Sequence, residues 1–157
     1  MSTTGAGAPT DSGDLVRIVI DTSVLFDRAA IDALADDVRQ KIVPALAFAE
    51  RARQLARDRR MSAQKTRALF EDEGWEIEAF GAAEAAHVVA CTTDENAWRK
   101  HARDTMIAGH VREMDELWTH NAKDFLAVGL DARQIVDLAH AASSLPIITP
   151  DVVGGPD

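Results

Sequence analysis

Four acidic residues stand where a soluble chain ordinarily ends a strand or buries an apolar side chain. Asp21 closes the run "RIVI", Arg17 to Ile20, whose β-branched and nearly continuous apolar character is that of a strand covered on both faces. Glu50 follows Leu46 by four residues and Ala47 by three, on the apolar side of a helix that Pro44 is placed to start. Asp104 precedes Ile107, Ala108 and Val111 by three, four and seven residues, which makes it the first member of a buried stripe. Asp124 comes just after the short apolar run "LWT", Leu117 to Thr119. Ionised carboxylates are rarely kept on core-facing positions unless they are paired or bound to a metal, because desolvation is so unfavourable. Cation binding and acid chemistry are therefore open to these groups. The ends of parallel strands are where open α/β sheets bind ligands, so one edge of such a sheet could gather all four.

Each residue also has a plain structural role. Asp21 can cap the turn that follows it, with Thr22 and Ser23 as alternatives. Glu50 can pair with Arg53 or Arg57 on its own helix, and Asp104 suits the first turn of a helix. Asn121 and Asp124 have the spacing of an N-cap and an acidic N3 residue. Singly these readings suffice; jointly they weaken.

The elements that must position the acids follow from short apolar runs alternating with helical patterns. After the first strand, Arg28 to Gln40 reads as a helix and "KIV" as a second strand; the helix from Pro44 runs on into a basic stretch. "WEIEAF", Trp75 to Phe80, is a third strand broken by Gly81, and "AAEAAHVVA" resumes a helix. A further helix is expected around Trp98 to Met114, on which His101 and His110 read as ordinary surface residues. "LWT" is a fourth strand, "RQIVDLAHAASS" reads as a helix, and "LPIITP" as a fifth strand or an extended tail. Strands separated by helices imply a mostly parallel sheet with helices on both faces. The 157 residues suit one domain over 17–150, between a flexible tail at 1–16 and a short C-terminal tail at 151–157.

Composition narrows the class further. The net charge is −9, yet residues 51–67 carry seven basic side chains, Arg51, Arg53, Arg57, Arg59, Arg60, Lys65 and Arg67, against one acidic. Such a cationic island is either a solvated helical face or a contact for a nucleic-acid backbone. Cys91 is alone, which excludes a disulfide framework and a cysteine-based zinc site and favours a reducing compartment, the cytoplasm being the simplest. No apolar run approaches the roughly 18 residues of a membrane helix, and the start lacks the pattern of a signal peptide.

The blocks "IVIDTSVLFD", "VPALAFAE", "RDTMIAGHV" and "LWTHNAKDF" resemble, in order, the four blocks of the PIN domain family, and their layout is similar to VapC-type ribonuclease toxins of toxin–antitoxin pairs. The resemblance covers about residues 17–130. It implies a three-layer α/β/α sandwich around a mostly parallel sheet, and an acidic pocket that binds Mg2+ or Mn2+ and hydrolyses RNA. Asp21, Glu50 and Asp104 match the first three acids of the family. At the fourth position Asp124 is favoured as the acid with Asn121 assisting; the hydroxyls of Thr119 and Ser23, beside these ligands, suit the orienting of a water or a carboxylate, and Ser23 equally suits a turn. The resemblance further implies a cognate antitoxin and a homodimer.

Hard cations held by carboxylates suit phosphodiester hydrolysis, which must stabilise an entering water, a leaving oxygen and charge on the phosphate. A dehalogenase-type phosphatase would need a second Asp at the position of Ser23, and a receiver domain an early acidic pair and a late lysine after a strand. The stronger rival is a catalytically inactive PIN-like module that binds RNA or protein, against which the complete acidic set argues.

Overall fold

The computed structural model describes residues 16–92 and 94–139. Arg17–Ile20 forms β1, Gln40–Pro44 β2, Glu76–Glu78 β3, Glu116–Thr119 β4 and Ile135–Asp137 β5. They make one sheet in the order β3-β2-β1-β4-β5, and every pairing is parallel. β1 lies at the centre, with Val19 opposite Ile42 of β2 on one side and Leu117 of β4 on the other. Its apolar run follows from that place, because both of its faces are covered.

Successive side chains of β1 enter two different cores. Ile18 and Ile20 join Val24, Leu25, Leu34, Val43, Ala47 and Trp75. Val19 joins Ile42, Ile107, Val111, Leu117 and Phe125 on the opposite face. The first core is closed by α1 (Arg28–Asp36), α2 (Ala45–Arg59) and α3 (Ala63–Asp72), and the second by α6 (Ala102–Ala108) and α7 (Ala122–Ala127). The expected three layers are therefore present. No described helix is long and apolar enough to cross a membrane.

Several boundaries differ from the sequence reading. α1 stops at Asp36, because Asp37 accepts from the Arg39 backbone and guanidinium in a tight turn and Gln40 already belongs to β2. The helix entered from Pro44 ends at Arg59 with Arg60 in a left-handed conformation (φ 51°), and Ser62 caps a separate α3, so the basic stretch spans two helices. The single helix expected over Trp98 to Met114 is two, α5 (Glu95–Lys100) and α6, divided at His101, which leaves helical geometry at φ −122° and ψ 40°. A side chain at Gly109, just past α6, would come within 2.8 Å of Val88 on α4 (Ala82–Cys91), so only glycine lets the two segments approach.

Within "RQIVDLAHAASS" a one-turn 3-10 segment and β5 come first, and helical structure begins only at Leu138. Asp131 caps that turn, and the β-branched Ile135 and Val136 then add a strand beside β4. "LPIITP" and both predicted tails, with the end of the predicted domain at 150, lie outside the described residues.

A buried polar network anchors the start of β1. The Arg17 guanidinium donates to Asp115 at 2.7 and 3.1 Å, to Glu78 at 2.9 Å and to the His110 carbonyl at 2.9 Å. The His110 ring lies 2.8 Å from Glu78 and edge-on to Phe80. His110 is thus a core residue rather than a surface one, because the chain leaves α6 at Gly109 and turns it inward.

Candidate active site

The strand order turns between β1 and β4, and their C-terminal ends lie side by side: the Asp21 N–H donates to the Trp118 carbonyl at 3.0 Å. In an open α/β sheet this is where a crevice forms. Asp21 occupies it and is almost fully buried. One carboxylate oxygen accepts from the Thr22 backbone at 2.8 Å, and the other from the hydroxyls of Ser23 and Thr119, each at 2.8 Å. The capping role is therefore real and leaves the group at the sheet edge. Ser23 in turn accepts from the His120 N–H at 3.1 Å and Thr119 from the Asn121 N–H at 2.9 Å. Two backbone donors thereby fix two hydroxyls, and the hydroxyls fix the carboxylate.

The remaining acids arrive on three helices. Asp104 sits in the first turn of α6, buried, with Ile107 and Ala108 below it in the core. Burial pushes its carboxyl pKa up; Arg103 opposes that, and the nearby Asp21 and Asp124 add to it. Glu50 projects from α2 and pairs with Arg103 through two contacts, one of them 2.9 Å, rather than with Arg53 or Arg57. Asp124, on α7, is half-buried. Asn121 makes no capping bond to α7; its side-chain amide donates to Asp124 instead.

Two further residues complete the cluster. The Arg103 guanidinium lies between the acids, 3.1 Å from Asp104 and 3.7 Å from Asp21 in addition to its bonds to Glu50. His101 stands 3.8 Å from both Asp104 and Asp124, so it is a member of the site and not a plain surface residue. The break between α5 and α6 turns it there. Its spacing of three from Asp104 was the available sequence signal. Arg103 offered none, since adjacent residues on a helix do not face each other.

Ligand atoms of His101, Asp104 and Asp124 all lie within 4.8 Å of one another, with Asp21 and Glu50 linked to them through Arg103. A donor set made chiefly of carboxylate oxygens fits a hard divalent cation such as Mg2+ or Mn2+. Glu78, Glu84 and His110 also come close together, but Glu78 holds Arg17 and Glu84 accepts from the Gly81 N–H, so that group is committed to the fold.

The seven island residues lie on α2, α3 and the turn between them. Arg53, Arg57, Arg59, Arg60, Lys65 and Arg67 are exposed, whereas Arg51 is half-buried with its guanidinium 4.8 Å from the Phe26 ring centre. Arg57 pairs with Asp58 and Arg67 with Glu71. Glu50 and Arg59 are nine positions apart on α2, about 13 Å along the axis. Arg51 and Arg59 also line an apolar groove of about 580 Å³ with Phe26, Leu55 and Leu69.

Two solved structures are similar to this chain in fold. One, a toxin–antitoxin complex from Klebsiella pneumoniae, matches over 76% of this chain and 95% of the matched chain with a TM-score of 0.54 at 20% identity. The other, DNA-bound VapBC from Salmonella typhimurium, matches over 77% and 97% with a TM-score of 0.51 at 16% identity. The chain shares their fold. It is the PIN-like α/β architecture that the four sequence blocks imply. No family model matches the sequence, and no curated protein does.

Proposed function

We propose that this protein is the toxin of a toxin–antitoxin pair and acts as an Mg2+- or Mn2+-dependent endoribonuclease in the cytoplasm, working as a homodimer that a cognate antitoxin restrains. One observation carries the reading: Asp21, Glu50 and Asp104 all lie within reach of the Arg103 guanidinium, and Asp124 shares His101 with Asp104. The shared fold with the two toxin–antitoxin structures supports the partner assignment.

In this reading Asp21, Glu50, Asp104 and Asp124 hold the cation. A bound Mg2+ or Mn2+ supplies an activated water and neutralises charge on the phosphate. The chain's own contribution is positioning. Ser23 and Thr119 keep the Asp21 carboxylate aimed by donating to one of its oxygens, and Asn121 restrains Asp124. Burial of Asp21 and Asp104 keeps bulk water off the ligating oxygens.

Cleavage of RNA in Mg2+ or Mn2+, and its loss in EDTA, tests the reaction; cleavage that survives the chelator excludes it. Thermal melts give a second, activity-independent result. The protein should gain stability from Mn2+ by mass action, about 2.7 kcal/mol at a hundredfold excess over the dissociation constant. A melting temperature indifferent to metal would leave the pocket without its cation. The placement of the Arg103 guanidinium among the acids favours one rival, an inactive module whose pocket is neutralised from within. That module would neither cleave RNA nor respond to Mn2+.

The cationic island is assigned to the RNA backbone. Reversing Arg53, Arg60 and Lys65 to Glu should weaken RNA binding and flatten its dependence on salt, each lost phosphate contact reducing the slope by roughly one. Unchanged affinity and slope, with weakened antitoxin binding, would give the island and its groove to the protein partner instead.

A further inference from the structure

One guanidinium stands among the acids of the site. The guanidinium of Arg103 reaches three of them: Nε and Nη2 contact Glu50, Nη1 lies 3.1 Å from Asp104, and Nη2 is 3.7 Å from Asp21. Among the described residues, His101 is the other basic side chain in ion-pair range of Asp104 and Asp124. We propose that Arg103 is the built-in counter-ion of the metal-free pocket and that Arg103 and the divalent cation are alternative occupants of one carboxylate set. This rests on the reading of the crevice as a cation site.

The exclusion is geometric and electrostatic. Mg2+ takes its oxygen ligands at roughly 2.0–2.1 Å. Carboxylates drawn in to that distance would hold the guanidinium a few ångströms from a second positive charge, where repulsion is strong. Arg103 has somewhere to go, because its side chain is 42% exposed while Asp104, the next residue, is fixed on the buried side of α6. Cation binding is then an exchange: the helix stays in place, the arginine swings out, and its freed donors stand beside the crevice that an RNA phosphate enters.

Removing the competitor should tighten metal binding. Mn2+ titrations followed by calorimetry are expected to give Arg103→Ala and Arg103→Gln an affinity about tenfold above the parent's, the scale of a few partly exposed ion pairs lost from the apo state. Arg103→Lys should fall between, since a single ammonium cannot span Glu50 and Asp104 as a planar fork does. In EDTA, Arg103→Ala and Arg103→Gln should melt below the parent, and saturating Mn2+ should close that gap. Equal or weaker Mn2+ binding by folded Arg103→Ala and Arg103→Gln, with a parent that binds Mn2+ and an Asp104→Asn variant that does not, overturns the exchange and leaves the pocket standing. If the parent itself fails to bind Mn2+, the pocket falls and the exchange with it.

Discussion

Asp104→Asn is expected to lower RNA cleavage by about a hundredfold to a thousandfold, the scale of losing one charge-stabilising group at a reacting centre, and yet to leave the metal-free protein at least as stable as the parent. The two effects have one origin. Asp104 is 7% exposed, and its carboxyl pKa is raised chiefly by burial, with Asp21 and Asp124 adding repulsion. A group that takes up a proton more readily folded than unfolded opposes folding in its charged form, and that opposition fades as pH falls toward the raised value. Above the raised value the opposition is fully present, and the isosteric amide removes it. The variant does lose an ion contact to Arg103, but that guanidinium keeps Glu50. An ordinary substitution of a buried group costs about 1 kcal/mol, so parity alone would be informative. Melts in EDTA beside a cleavage assay decide the matter. A strongly destabilised Asp104→Asn that still responds to Mn2+ like the parent would make Asp104 a structural residue and dissolve the pocket.

What could be read from the chain beforehand was whatever depended on local periodicity. The strand ending at Asp21 and the stripe led by Asp104 were legible because burial imposes a pattern on neighbouring residues. The break at His101 was not, since residues on both sides of it are compatible with helix. β5 is not legible because Ile135 and Val136 are compatible with the helical pattern that begins at Leu138, and pairing with β4 settles the choice. Arg103 and Arg17 lie beyond any such reading. Their partners, Glu50 at 53 positions and Asp115 at 98, are brought to them by the fold alone.

Asp115 is buried as deeply as Asp104, and the opposite outcome is expected of it. Asp115→Ala should cost about 3–5 kcal/mol, the penalty of leaving one member of a buried ion pair uncompensated. The Arg17 side chain is 7% exposed and spends two of its nitrogens on Asp115, whose carboxylate also accepts from the Arg112 N–H at 2.8 Å. Glu78, still in contact, cannot turn to replace those bonds while it also holds His110. Replacing both partners, Arg17→Met with Asp115→Leu, should recover only part of the loss, because the Arg17–Asp115 pair is then gone from both sides while Glu78 loses Arg17 and keeps His110 alone. Acid should weaken the same network. Burial raises the Glu78 carboxyl, but hydrogen bonds from His110 and Arg17 outweigh it and hold the group below its usual 4.5. Its contribution is therefore complete above that pH and is lost as pH falls through the lowered value. Urea melts of the single and double variants across that range test the assignment. An Asp115→Ala protein within about 1 kcal/mol of the parent would show that Arg17 finds water or another acceptor, and that β1 is held by its two apolar faces without the ion pair at its start.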